Sequence, residues 1–430
     1  MENIDLKLDA LVKWLGGNVT ENLGSGAFIS PKISVRDVPG SGRGIYAESD
    51  IGTQEELVRI PVSFLLNFTT AVAHITKHNP LVTLVEPHYQ HIHVPSTASD
   101  KITDWYAQLD LDILLGLSSF QLLAIYLVLE KERGAASFWK PFIDMLPSIE
   151  ELSLAPVVWK VLQVPHCDDL WRMLSRSARK HAESVVARFE KDYAVVCDLP
   201  SVPAFERLSF LWAWMCINSR CLYMLMPQAK DTSDNFTMAP YVDFLNHLNE
   251  DQCGIKIDPH GFHVLTSSAY KPQEELYFSY GPHSNEFLLC EYGFTLPHNK
   301  WNYIDITDFI LPLLRPEQVS FLKDMGYYGD YTVNTEGMSF RTEIALATLQ
   351  ESEPQQSRKL KALVEGMSDG AVFEKQLKVL LRRLLDKMAS DSGRRLHRAD
   401  NYDPETTRRI EAVNVLHKNI VSIAETILKE

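Results

Sequence analysis

Paired cysteines are missing from this chain. Its six cysteines, Cys167, Cys197, Cys216, Cys221, Cys253 and Cys290, are scattered with no CxxC among them, which predicts reduced thiols in an intracellular protein. Basic charge is also in deficit, with 42 Lys and Arg against 56 Asp and Glu and a formal charge of −14. That balance disfavours a general binder of phosphate backbones, whose affinity rests on cationic side chains displacing counterions, so no direct nucleic-acid contact is expected. An acidic surface suits a basic partner, although net charge bears on encounter and solubility and not on fold. Long hydrophobic runs are absent too. No uncharged stretch is longer than the one between Asp112 and Glu130, which carries Ser118, Ser119 and Gln121 and is short of the roughly twenty apolar residues a spanning helix needs. The opening "MENIDLKLDALVKWLGG" has no basic segment followed by an apolar run, so it is not a secretory signal. There is neither a fixed-period repeat nor a low-complexity tract. A soluble cytosolic or nuclear protein with no membrane contact is expected, and the short, mixed basic run "GRRLHR" at 393–398 does not amount to a nuclear signal.

What is present is ample core material: 430 residues, 45% hydrophobic and 10% aromatic, enough chain for roughly two to three domains. Residues 28–66 alternate β-branched residues with turns at Pro39, Gly40, Gly42, Gly44 and Gly52, which predicts short strands. From about 70 to 215 the character is helical. In "LSSFQLLAIYLVLEKERG" Phe120, Leu123, Ala124, Leu127 and Val128 share one face, with Ser118 or Ser119 as the cap. "FLWAWMCINSRCLYML" is almost wholly apolar and predicts a buried helix. Residues 238–296 return to strand-like segments separated by Pro, Gly, Asn and Asp. Beyond Trp301 the chain turns helical again, with Leu377, Leu380, Leu381, Leu384, Leu385 and Met388 forming one stripe. Polar stretches at 350–358 and 389–407 are the expected linkers.

Candidate chemistry is sparse. The "GSGRG" cluster lacks the third glycine of a dinucleotide fingerprint, Ile45 standing in its place, and strand-like "IYAESDI" follows it instead of a helix. It reads as a tight strand-to-strand turn. His74 and His78 are four apart, but no Glu follows His74 as a zinc-protease motif requires and Pro80 stops any helix. In "HYQHIH" alternation puts only His91 and His93 of His88, His91 and His93 on one face. No metal site is expected, and these histidines read as solvated. No GxSxG elbow supports a hydrolase. Two motifs remain: the Asn246-His247 pair in "YVDFLNHLNEDQ", and "YFSYGPHSNEFLLCEYGF", in which Tyr280 and Tyr292 are each followed by glycine. Taken singly, they read as core aromatics beside glycine turns.

Together these stretches resemble the SET-domain protein methyltransferases, in the subgroup of the plant Rubisco large-subunit lysine methyltransferase and fungal ribosomal-protein lysine methyltransferases. The resemblance covers nearly the whole chain. "FISPKISVRDVPGSGRGIYAESDI" is similar to the N-terminal SET strands, "LSSFQLLAIYLVLEKERGAASFWKPFIDMLP" to the helical insert that marks the subgroup, "YVDFLNHLN" to the asparagine-histidine motif and "YFSYGPHSNEFLLCEYGF" to the terminal tyrosine motif. It implies an α+β fold: a β-rich SET domain with a knot-like C-terminal crossing, a helical insert and an all-helical C-terminal substrate-binding domain. The implied boundaries are 1–70 and 216–300 for the two parts of the SET domain, 71–215 for the insert and 301–430 for the substrate-binding domain. No cysteine-rich zinc segment follows the second tyrosine motif, which favours a non-histone target.

The resemblance also implies S-adenosyl-L-methionine as cofactor, held by Asn246, His247, Arg220, Tyr292, Phe294 and Asp243, with backbone groups of Ser41 and Arg43. Buried polar groups of the Asn-His pair would then find partners in the cofactor. Leu248 stands where relatives often carry serine, and Ser41 where an acidic residue is common, so Ser41 is expected to contribute backbone only. The implied reaction is in-line methyl transfer to a lysine amine, with no dedicated base. Tyr292 is assigned beside the transferring methyl, and Tyr280 to the wall of a channel that also includes Leu222 and Asp243. A basic protein, a ribosomal protein by resemblance, is the expected substrate, and the enzyme is expected to be a monomer. Two alternatives stay open. One is an actin-type histidine methyltransferase, disfavoured because Leu222 replaces the amide found in that relative. The other is a SET-like binding module without catalysis, against which the intact Asn246, His247, Tyr280 and Tyr292 argue.

Overall fold

The structure, a computed structural model, describes residues 4–17, 26–38, 42–77, 92, 99–199, 205–224, 235–250, 253–258, 261–399 and 401–429. The chain forms two compact units. The first comprises Met1–Gln163, Ser184–Pro282 and Glu291–Gly293, and the second Val164–Glu183, His283–Cys290 and Phe294–Glu430. The second unit thus takes in residues 164–183 and 283–290 in addition to the expected C-terminal region.

The first unit carries three small sheets among its described residues. In one, Phe28–Ile29, Glu56–Pro61, Gly261–Thr266 and Cys253–Asp258 lie side by side, all antiparallel. In another, Ile33–Val38 pairs with Gly42–Ala47, which pairs with Glu275–Phe278, and the far edge is Asn246–His247. That edge runs parallel to its neighbour, Tyr277 opposite Asn246 and Phe278 opposite His247, so segments far apart in sequence cross at the expected place. The third joins Leu66–Asn67, Phe236–Met238 and Cys221–Tyr223. The glycine cluster serves a strand-to-strand turn, Val38 facing Gly42, while Pro39, Gly40 and Ser41 lie outside the described residues.

Helices fill the insert. Ser118, not Ser119, caps Ser119–Arg133: its side chain accepts from the Gln121 N–H and the Gln121 side chain accepts from the Ser118 N–H, satisfying two donors a helix start leaves open. The one-sided stripe expected there is wider in fact, for every residue from Ser119 to Glu130 is buried, as befits a helix apolar all round. Arg207–Arg220 is buried from Phe210 to Ile217, as its composition predicts.

Several readings change. Residues 285–292, taken with the strand-like region, form the helix Asn285–Tyr292. Ser284 starts it, its carbonyl accepting from Leu288 N–H at 2.9 Å, and three consecutive apolar residues, Leu288, Leu289 and Cys290, are all fully buried, which alternation in a half-exposed strand would not allow. The C-terminal region is helical as expected but not wholly so. Ile304–Asp305, Thr332–Asn334 and Gly337–Met338 form a three-stranded sheet, closed by a turn at Thr335 and Glu336 ahead of Gly337 with φ +132°, a conformation glycine adopts freely. The leucine stripe holds: Leu377, Leu381 and Leu385 are buried and Leu380, Leu384 and Met388 pack beside them. Its helix, Ala371–Arg394, extends into the second expected linker, and the next begins at Pro404. His74 is buried, not solvated, its Nδ1 2.7 Å from the Tyr126 hydroxyl. His78, His88, His91 and His93 lie outside the described residues. No helix among the described residues is long and apolar enough to cross a membrane.

Gly44 is where backbone and side chains approach most tightly near the crossing. A Cβ there would collide with the Glu275 carboxylate, with Val38 Cγ2 at 2.8 Å and with Asn246 Nδ2 at 3.0 Å. Gly44→Ala is therefore expected to lower unfolding free energy by about 1–3 kcal/mol, read as a lower urea midpoint with an unchanged slope. An unchanged midpoint would show that the crossing tolerates the extra carbon.

Candidate active site

The turn Val242–Phe244 precedes the crossing strand and sets the site. Tyr241, just before it, is buried with φ 71°, an unusual conformation for a bulky residue and one the surroundings must enforce. The result directs Asp243 inward, its side chain 3% exposed. Arg220, the last residue of the helix Arg207–Arg220, meets it: Nη1 donates to the Asp243 carbonyl at 3.0 Å and to Oδ2 at 3.2 Å. Asp243 Oδ1 and Arg220 Nε are buried with no partner among the described residues. Burial pushes the Asp243 carboxyl above the usual carboxylate range, against the opposing pull of Arg220 and Arg43.

The crossing then places the aromatics. The Tyr280 N–H donates to His247 Nδ1 at 3.1 Å, so the imidazole accepts there and carries its proton on Nε2. The two rings stack with centroids 5.0 Å apart. The Tyr280 hydroxyl donates to the Leu245 carbonyl at 2.8 Å. Tyr292, ending the helix Asn285–Tyr292, brings its ring 5.2 Å from that of Tyr280. Burial raises both phenols, Tyr292 to about 12. Gly281 and Gly293, following the two tyrosines, have φ of 129° and 79°. Arg220, Leu222, Asp243, Tyr280 and Tyr292 thus share the wall of one cavity of about 370 Å³, its remainder largely apolar with Ile255, Ile257, Phe262 and Phe278.

Other expected residues fall elsewhere. Asn246 is held by its Nδ2 donating to Glu275 Oε1 at 2.7 Å. Arg43 lies over the Phe244 ring at 5.7 Å, with Nη2 3.8 Å from Glu151, and lines a second cavity with Leu146, Pro147 and Trp212. Ser41 lies outside the described residues. Phe294 belongs to the second unit.

Sequence reasoning missed two carboxylates. Glu275 accepts from Asn246, from the Tyr277 hydroxyl at 2.8 Å and from the Tyr46 hydroxyl at 3.1 Å; strand alternation in "ELYFSYG" places Glu275 and Tyr277 on one face and could have shown it. Glu291 is gripped by Arg188 at 2.5 Å and by Asn218 Nδ2 at 3.0 Å, which fixes the residue before Tyr292. No local pattern links residues so far apart.

Comparison with known proteins finds relatives over nearly the whole chain. The SET domain family matches residues 42–281, and the family of the ribosomal lysine N-methyltransferase 2 C-terminal domain matches residues 302–430. The chain is 29% identical to Ribosomal lysine N-methyltransferase 2 of Saccharomyces cerevisiae over 98% of its length and 97% of that protein. It is 27% identical to Ribosomal lysine N-methyltransferase set11 of Schizosaccharomyces pombe over 85% of each, and 28% identical to human SET domain-containing protein 4 over 72% of this chain and 67% of that one. The fold matches a crystal structure of the SET domain of LSMT bound to lysine and AdoHcy with a TM-score of 0.56 and 14% identity, covering 98% of this chain and 92% of the other.

Arg220→Ala is expected to cost about 3 kcal/mol at neutral pH by leaving Asp243 buried without its cation. Because the carboxyl in the folded protein sits above its unfolded value, that loss is present at high pH and shrinks as pH falls through the raised value. Urea melts at about pH 7 and about pH 5, with Arg220→Ala/Asp243→Asn as the rescuing pair, check it. A pH-independent loss would assign Arg220 a packing role instead.

Proposed function

This chain belongs to the SET-domain family, and from that premise we propose that it is an S-adenosyl-L-methionine-dependent protein-lysine N-methyltransferase whose substrate is a basic ribosomal protein. The observation that carries the reading is the cavity in which Tyr280, Tyr292 and the Arg220–Asp243 pair converge. The names of the two fungal relatives support the ribosomal substrate, and a formal charge of −14 suits a basic one.

The residues present fit the cofactor. Arg220 Nε is a buried donor without a partner among the described residues and suits an anionic carboxylate. Asn246, His247, Tyr292, Asp243 and the backbone of Ser41 and Arg43 are the further residues proposed to hold it; Phe294, expected beside the adenine, belongs to the second unit. When bound, the cofactor supplies a methyl group on a sulfonium. The chain supplies positioning and a poorly hydrated channel. A lysine side chain enters as the ammonium, whose free pKa is about 10.4; apolar walls disfavour that charged form and favour the nucleophilic amine. Tyr280 donates to Leu245, which leaves its oxygen lone pairs to accept an N–H from the amine and turn the nitrogen's own lone pair inward. Both phenols stay neutral because burial raises them, so neither presents an anion to the sulfonium. Holding nitrogen, carbon and sulfur in line contributes on the order of several kcal/mol. Leu222 lines this cavity and offers no hydrogen bond to an imidazole, which favours lysine over histidine.

Incubation with methyl-labelled cofactor and an extract lacking this enzyme should label lysine in one or a few basic proteins. Tyr292→Phe should lower that rate by about a hundredfold at saturating cofactor. Label recovered as methylhistidine, or intact cofactor binding with no transfer by the wild type, would sink the reading. The wild-type rate at saturating substrate should rise with pH from about pH 7 and level off above the pKa of the bound lysine, which the channel holds below the free value of about 10.4. A profile that is flat or falls over this range would show that loss of the amine proton does not set the rate.

A further inference from the structure

The second unit has a cavity of its own, about 160 Å³, lined by charge of both signs. Asp305 and Asp308 are half-buried in its lining, Asp391 of the same lining is 44% exposed and pairs with the exposed Arg394 at 2.5 Å, and the basic residues Arg176, Lys180 and Arg395 are exposed. Asp308 pairs with Arg176 at 2.8 Å, but that arginine is 68% exposed, so the pair contributes little and leaves carboxylate lone pairs available.

His417, 1% exposed, supplies a second and independent sign. Its Nε2 lies 2.7 Å from the Met173 carbonyl, which makes Nε2 the donor and Nδ1 an acceptor. Nδ1 is buried with no partner among the described residues, and the residue lines this cavity. Burial lowers the imidazole's pKa, as do the nearby Arg395 and His397, so the acceptor form prevails at neutral pH. Buried acceptors without partners are rare, and this one calls for an N–H. Phe309, Met388 and Ile420 provide apolar wall for an aliphatic stem.

We propose that this cavity receives the guanidinium or ammonium end of a basic side chain of the protein substrate, His417 Nδ1 and the carboxylates of the lining accepting its N–H groups. The proposal rests on the protein-methylating reading above for the identity of the partner, but the binding itself does not depend on turnover.

The test uses the full chain and a fluorescently labelled oligo-arginine peptide, with binding read by anisotropy. Asp308→Asn/Asp391→Asn keeps shape and removes charge from the cavity. Asp324→Asn/Glu336→Gln removes as much charge from exposed positions of the same unit outside it. The cavity variant should bind about tenfold more weakly and the control within about twofold of wild type. His417→Phe, which removes the acceptor without changing the acidic charge, should also weaken binding by about fivefold. Equal weakening by cavity and control variants, or unchanged binding by all three, would overturn the proposal. For methyl transfer to the basic protein labelled in the extract, the cavity variant should raise KM with kcat and cofactor affinity unchanged. If wild type shows no transfer, the enzymatic reading fails while the anisotropy result still decides this one.

Discussion

Two short strands, Asn246–His247 and Glu275–Phe278, run in the same direction side by side although more than a whole hairpin separates them in the chain. Parallel neighbours cannot be joined by a tight turn, so the intervening residues must leave the pair and return, and the turn at 242–244 leads into the first strand. Each partner of the pair brings polar groups that would be costly to bury alone. The crossing satisfies them mutually: Glu275 takes the Asn246 amide and two phenols, while His247 takes the Tyr280 N–H. Close approach at Gly44 makes room for this arrangement. Tyr280 and Asp243 face one cavity because these contacts leave them no other direction.

Burial governs the chemistry of that cavity. It disfavours charge on both tyrosines and on Asp243, and Arg220 opposes it only at the carboxylate. The cavity wall therefore holds one ion pair, Arg220–Asp243, and two neutral phenols in Tyr280 and Tyr292. An amine entering such a place loses hydration and finds oriented oxygen acceptors, which is the condition a methyl acceptor needs and one that bulk water does not provide. No histidine or free carboxylate has to act as a base for this to work.

The second unit shows a related use of partial burial. Its core is built from the leucine stripe of Ala371–Arg394 and the apolar face of Pro404–Lys429, closed by the small sheet at 304–338. Acidic residues half-sheltered by that core behave differently from the exposed bases around them, because screening by water is strongest outside. Sequence composition registers both signs equally; depth separates them.

Much was legible in the chain itself. Helical periodicity gave the stripe from Leu377 to Met388, glycine turns located the hairpin at Val38 and Gly42, and the Asn-His and tyrosine motifs pointed to the residues that line or support the cavity. Local patterns fail where burial on both sides erases periodicity, as in Ser119–Glu130, or where a serine cap and full burial turn "SNEFLLCEY" into a helix. They fail completely for partners distant in sequence: Glu275 with Asn246, Glu291 with Arg188 and Asn218, and His417 with the Met173 carbonyl. The sequence by itself determined the family, the residue types and the local elements, because those follow from side-chain chemistry and spacing. Only the tertiary structure decided which carboxylates are paired, which acceptors are buried and which way each phenol points, because these depend on the dielectric and the neighbours that folding brings to each group.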